Sequence, residues 1–402
     1  MQTPLDYVLA AAVLICATAL VMTVINLRVY RPPQSPAEVG PAELGPAELG
    51  GPGWAESAAL VTVAIPARNE EANIAAIVDS LRAQTHAHLE ILVYDDHSTD
   101  QTAAILAILA ASDPRVRAAE VRVLATGWNG KQFACDQLGR QARGDWVLFT
   151  DADVRFDPAC IAVSLAEARR MNVDLLSTFP RQITGSFAEA AVVPMIFFIL
   201  FSYLPMPRMR ATADPATSAG CGQFLFAKRD AYLKSGGHAA FQSSMHDGIK
   251  MPRAFRKAGL RTDLFDATNL CSVRMYRGFQ QTWRGFTKNA YEGLGNIALL
   301  LFITVMHLVG HVLPPIALAA WFWLDEASPI TLALAAAAVV IALAQRIMLA
   351  RRFRHSALSV AIHPLGVLLM TIIQWASWFL HITGRRSWRG RVQGHATVGF
   401  TA

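Results

Sequence analysis

The chain has 402 residues, 53% of them hydrophobic and only 16% charged, with a mean hydropathy of +0.32. That composition excludes an ordinary soluble globule and marks an integral membrane protein long enough for more than one domain. The net charge of +6 sits largely beside apolar runs, at "ARRFRH" (350–355) and "GRRSWRGR" (384–391), which argues against a nucleic-acid groove and for contact with anionic lipid heads.

Five cysteines, Cys16, Cys135, Cys160, Cys221 and Cys271, show neither C-x-x-C nor a zinc or disulfide spacing, so reduced thiols and a cytoplasmic soluble part are expected. Taken in chain order, residues 1–30 hold an apolar run from Tyr7 to Leu27, long enough to span a hydrocarbon core. "MQTPLDY" has no basic residue, so this is an anchor rather than a signal peptide, with Arg28 and Arg31 at its cytoplasmic end. Residues 31–58, with PAELG in tandem after PAEVG, are a Pro/Gly-rich linker.

From Ala59 the pattern changes to short β-branched runs alternating with helical stretches: "LVTVAIPA", 70–84, "EILVYDD", 99–112, "VRAAEVRVL", 131–143 and "DWVLFTDAD". This predicts an α/β domain over 59–295, built on a parallel sheet with helices on both faces. In such sheets ligands bind beyond the carboxyl ends of the strands, and there fall "PARNE", "DDHSTD" and "DAD". Within the domain, "EAAVVPMIFFILFSYLPMP" (189–207), broken by Pro194 and Pro205, reads as a surface-lying or re-entrant segment. Three apolar runs follow in 296–383, at about 297–324, 329–350 and 358–382, then a basic tail, 384–402. "DEASP" fits the outer side and "ARRFRH" the inner one. A third span then puts "GRRSWRGR" outside, against the charge rule, unless the Pro314-Pro315 run or the last run is re-entrant.

Asp151 and Asp153 in "DAD" either form an acidic turn or bind a divalent cation such as Mg²⁺ or Mn²⁺ that meets a diphosphate. Asp95 and Asp96 either sit at a helix N-terminus or accept hydrogen bonds from a base and a ribose. Lys131, opening a helix after Gly127 and Gly130, stands where backbone N–H groups and an ammonium meet phosphate, although "GWNGK" is no P-loop.

The segments "VAIPARNEEANIAAIVDSL", "ILVYDDHSTDQT", "GWNGKQFA", "LFTDADVRF", "SAGCGQFLFAKRDAYLKSGGH" and "VRMYRGFQQTWRGFTKN" together resemble the membrane-bound family 2 glycosyltransferases. The likeness is to the branch acting on lipids and isoprenoids: carotenoid and hopene-associated glycosyltransferases and, more distantly, ceramide glucosyltransferase. It covers about 59–295 and implies a GT-A fold, Rossmann-like, beside transmembrane helices. It further implies that Pro66, Arg68, Asn69 and Glu70 contact the nucleotide, that Asp95 and Asp96 hold uridine, and that Asp151 and Asp153 form the metal and diphosphate site. Lys131 joins the nucleotide-sugar site, Gly222 and Gln223 belong to the acceptor-side loop Gly220–Phe224, and Asp247 is the catalytic base of an inverting transfer.

Two departures stand out. His246-Asp247 replaces the usual Glu-Asp, so His246 tunes Asp247, donates to it or replaces a structural acid. "QQTWRGF" does not keep the Q-x-x-R-W order of processive relatives; Trp283, Arg284 and Lys288 either close over the donor or lie on an interfacial helix. His238 is either a ligand near the site or a hydrogen-bonded structural residue. The expected reaction moves sugar from a nucleotide-diphosphate sugar, a UDP-sugar, to a membrane lipid or isoprenoid at the cytoplasmic face of the inner membrane. Polyprenyl-phosphate sugar synthesis and processive polymer synthesis are the alternatives.

Overall fold

A computed structural model describes residues 3–33, 59–321 and 328–385, with the backbone of 387–388 and 391–392. Most of the linker, the acids of "DEASP" and most of the basic tail lie outside the described residues. The chain divides into two compact units.

One unit comprises Tyr30–Arg181 and Arg208–Val273. The strands in chain order are β1 (Val61–Ala67), β2 (Leu89–Asp95), β3 (Val116–Ala118), β4 (Trp146–Phe149), β5 (Val154–Phe156), β6 (Leu175–Ser177), β7 (Arg181–Gln182), β8 (Leu225–Lys228), β9 (Thr262–Leu264) and β10 (Cys271–Val273). Seven form one sheet, in the order β3-β2-β1-β4-β8-β6-β9. The runs "VTVAIPA" and "LEILVYD" are apolar almost throughout because nearly every residue in β1 and β2 is buried. The core brings Ala64, Leu92 and Phe149 of these strands against Leu138 of the helix Gly130–Gln141 and Met251 and Phe255 of the helix Asp247–Lys257.

The sheet differs from the predicted all-parallel one. β3, β2, β1 and β4 are mutually parallel, but β8 runs antiparallel between β4 and β6. An antiparallel strand presents its first residues at the edge where its parallel neighbours present their last, so the loop before β8 reaches the end of β4. Thr150 Oγ1 donates to the Gln223 carbonyl at 2.8 Å there. The run "VRAAEVRVL" is a strand only over its first three residues. Beyond β3 the chain leaves the sheet, and the Tyr94 hydroxyl ties it back through Arg122 at 3.1 Å.

The other unit comprises Met1–Val29, Gln182–Pro207 and Arg274–Ala402. Among the described residues, four of its helices are long and apolar enough to cross a membrane: Pro4–Val29, Ile297–Ala320, Pro329–Phe353 and His363–Ile382. The second passes through a π-helical turn at Leu308–Val312, ahead of Pro314 and Pro315. Small residues let the first and third approach closely, Ala12 and Cys16 against Ala338 and Ala342. The apolar stretch 189–207 belongs to this unit and breaks near Pro194 into Phe187–Val192 and Met195–Tyr203. Phe197, Phe198 and Phe201 are buried in it, and Asn26 Nδ2 caps the helix end through the carbonyls of Phe201 (2.9 Å) and Leu204 (2.7 Å).

Candidate functional site

The sheet unit brings its strand ends together as parallel topology requires. The loop after β1 and the loop after β2 are tied by backbone and side chain. Arg68 Nη1 donates to the Asp96 carbonyl at 2.6 Å, Asn69 N–H to Ser98 Oγ at 2.9 Å, and Thr99 N–H to Asn69 Oδ1 at 2.8 Å. Asn69 and His97 hold left-handed backbone at φ 54° and 53°, a conformation that asparagine tolerates better than most residues. Asp95 Oδ1 accepts from Ser98 N–H at 3.1 Å, Asp96 is buried, and Glu70 accepts from Asn73 at 2.8 Å. Pro66 pairs with Tyr94 in the sheet register, one residue before the end of β1.

The chemical centre of this edge is an ion-pair network that sequence reasoning did not foresee. Asn129 caps the helix Gly130–Gln141 by accepting from the N–H groups of Lys131 (3.0 Å) and Gln132 (3.4 Å). The cap fixes the first turn, from which Lys131 Nζ reaches Asp151 Oδ1 at 2.7 Å and Asp247 Oδ2 at 2.9 Å. The ammonium predicted for phosphate thus bridges the first acid of "DAD" and the acid opening the helix Asp247–Lys257. Burial alone would lower the Lys131 pKa, but the two carboxylates hold it well above its ordinary value. Burial would likewise raise Asp247; Lys131, then His238 and His246, outweigh it and keep the group below its ordinary value.

Gly222 has the loop's tightest constraint, because a Cβ there would overlap the Asp247 carboxylate. Gly248 also has no room for a Cβ, which would meet the carbonyl of Gly220, and its N–H donates to Asp247 Oδ1 at 2.9 Å. His246 precedes the helix, with its N–H on Ser244 Oγ at 3.0 Å. Of the two readings of His238, the geometry shows the structural one. The ring is fully buried against Phe149, its Nδ1 lies 2.9 Å from the Tyr232 hydroxyl, and burial pushes its pKa down to about 3. Trp283 and Arg284 fall in the helical unit, on Gly278–Thr287, where Trp283 stacks on Phe279 one turn earlier and Arg284 is exposed.

Among the described residues no group of three or more His, Cys, Asp or Glu side chains forms a ready-made metal cage. Asp153 nonetheless has the character of a ligand. Its Oδ1 is buried without a hydrogen-bond partner among the described residues, and burial, Asp151 and Glu70 together push its pKa well above the usual carboxylate range. Surplus negative charge on hard oxygen donors suits Mg²⁺ or Mn²⁺, so the residues present fit a divalent cation.

Residues 62–236 match the family model described as glycosyl transferase family 2. The chain carries a family 2 glycosyltransferase domain. The 4,4'-diaponeurosporenoate glycosyltransferase of Staphylococcus aureus strain MRSA252 is 27% identical over 345 residues, covering 82% of this chain and 87% of that one. Its counterpart in strain USA300 is 27% identical over 344 residues, with the same coverage. A mannosyltransferase from Pyrobaculum calidifontis, solved in complex with GDP-Man and Mn²⁺, superposes with a TM-score of 0.57 at 19% identity, covering 94% of this chain and 99% of that one. At that identity the likeness concerns fold alone, and the fold of this glycosyltransferase is GT-A beside apolar helices. The six motifs of the resemblance begin at Val63 and run past the family match, to Asn289.

Proposed function

We propose that this glycosyltransferase moves a sugar from a nucleotide-diphosphate sugar, a UDP-sugar, to a membrane lipid or isoprenoid-type acceptor at the cytoplasmic face of the inner membrane, with inversion. The observation that carries the reading is Lys131, 2.7 Å from Asp151 and 2.9 Å from Asp247, which links the diphosphate-side acid to the proposed base. The relatives named for a carotenoid acid and the four apolar helices support the choice of acceptor.

In this mechanism the loops of Pro66–Glu70 and Asp95–Asp96 hold the nucleotide. Asp153, with Asp151, would hold a divalent cation, which when bound offsets the charge of the departing diphosphate. Asp247 enters ionised because Lys131 stabilises its carboxylate, and it takes the proton of the acceptor oxygen as that oxygen bonds to the anomeric carbon. The bond from that carbon to the diphosphate breaks on the opposite face. Gly222 and Gln223 line the approach of the acceptor, and His246 tunes Asp247.

The test is incubation of membranes containing the full chain with a panel of radiolabelled nucleotide sugars and total lipid extract. Wild type is expected to label an organic-soluble lipid, and Asp247→Asn to lose about 10²–10⁴-fold in kcat while still binding donor. Chelation is expected to abolish labelling and Mn²⁺ to restore it. Undiminished transfer by Asp247→Asn refutes the base; a mild-acid-labile anionic product or a polymer refutes the acceptor class.

A further inference from the structure

Arg346 lies within the apolar helix Pro329–Phe353, and its side chain is fully buried, the largest such side chain among the described residues. None of its three guanidinium nitrogens has a hydrogen-bond partner among those residues. A guanidinium does not shed its proton under ordinary conditions, and leaving one unpaired away from water costs several kcal/mol. Intramembrane charge of this kind marks a functional site by default. Asp6 and Glu189, two carboxylates of the same unit, are committed elsewhere: Asp6 accepts from Thr331 at 2.6 Å, and Glu189 from Arg274 at 3.0 and 3.2 Å.

The helix that carries Arg346 packs against the π-helical turn that carries His311, and the last long helix, which opens at His363, packs against the same turn. These two rings are buried, share one hydrogen bond, His311 Nδ1 to His363 Nε2 at 3.3 Å, and pack edge-on to Phe198. Their outer nitrogens, His311 Nε2 and His363 Nδ1, have no partner among the described residues. A neutral imidazole carries one N–H, so whichever ring donates in the shared bond, one of the outer nitrogens presents a hydrogen. His307 differs. The Thr371 hydroxyl already donates to Val367, so His307 Nδ1 must donate to Thr371, and its outer nitrogen is an acceptor.

We propose that Arg346 and the His311–His363 pair form a binding site, inside the helical unit, for the anionic headgroup of an amphiphile, a carboxylate or phosphate ester on a lipid tail. A guanidinium fork and an imidazole N–H are donors that such oxyanions pair with. The helices that carry Arg346 and His363 are long and apolar enough to span a membrane, so the anion arrives attached to a tail.

The test uses the purified, delipidated full chain and reads thermal unfolding, which does not depend on sugar transfer. Saturating palmitate or dipalmitoyl phosphatidate is expected to raise the wild-type midpoint by about 4 °C or more. The tail-matched neutral lipids, hexadecanol and dipalmitoylglycerol, and inorganic phosphate or acetate are expected to leave it unmoved. Arg346→Met is expected to lose the anionic-lipid shift and Arg346→Lys to keep a reduced one. An equal response to neutral lipid, a full response in Arg346→Met, or an equal shift by free phosphate or acetate overturns the proposal. Should Arg346→Met fail to fold, native mass spectrometry of the wild type decides. Retention of added palmitate or phosphatidate over its neutral counterpart supports the site, and no preferential retention overturns it.

Discussion

At the scale of single residues, the geometry around Asp247 is set by what is missing from its neighbour. A Cβ on Gly222 would overlap the Asp247 carboxylate, although the backbone at 222 is not in the left-handed region, so the cost of alanine there is steric. Gly222→Ala is therefore expected to push the carboxylate away from Lys131 and lower kcat by about 10²-fold, with donor KM little changed. Steady-state kinetics on the purified chain, with a thermal melt as the folding control, check this; wild-type kcat in a folded variant would count against the role of Asp247. The acids of the site were legible one by one, because "DAD" and "MHDGIK" end or begin elements where carboxylates can be aimed. The bridge between them was not, because a lysine side chain is long enough to serve a phosphate or two carboxylates, and spacing in sequence does not say which.

At the scale of elements, β1, β2 and β3 are locked at their starts by one buried acid. Glu90 accepts from Thr62 Oγ1 at 2.6 Å, from Arg117 at 3.0 and 2.8 Å, and from Arg143 N–H at 3.0 Å. Burial pushes the Glu90 pKa up, but the bonds from Thr62, Arg143 and Arg117 outweigh it and leave the group below its ordinary value. A folded pKa below the unfolded one adds stability above the unfolded value, about 4.3, and that stability is lost as pH falls through the folded value. Glu90→Gln is expected to cost about 2 kcal/mol near pH 7, with the gap to wild type closing as the pH is lowered below about 4. Melts across that range are the measurement, and a gap that stays constant would contradict the assignment. Strand alternation showed the parallel half of the sheet, whereas the direction of β8 did not show in "FLFAK". An apolar run reads alike in either direction, and only its partners β4 and β6 set its sense.

At the scale of the molecule, four crossings would alternate the chain across a bilayer and place residues after 382 on the face opposite residues 30–296. Four crossings would put Arg28, Arg351, Arg352 and Arg354 on one face with the family 2 domain, the face that the charge rule makes cytoplasmic, and the basic sequence after 384 on the other. A reporter fused after residue 385 is expected to read as external and one inserted in the linker 34–58 as cytoplasmic. A cytoplasmic reading for both would mean that one of the four helices does not cross.

Composition and hydropathy alone marked apolar runs long enough to cross a membrane on either side of an α/β pattern, because burial in lipid and burial in a sheet leave different periodicities in the residues. The order of six short motifs carried the chain's likeness to family 2, since each motif ends or begins an element at one edge of the sheet. The tertiary structure decided what those residues do to one another: Lys131 between Asp151 and Asp247, Gly222 against a carboxylate, and Arg346 without a hydrogen-bond partner among the described residues. Electrostatics and steric contact depend on distances of a few ångströms between residues far apart in the chain, and only folding sets those distances.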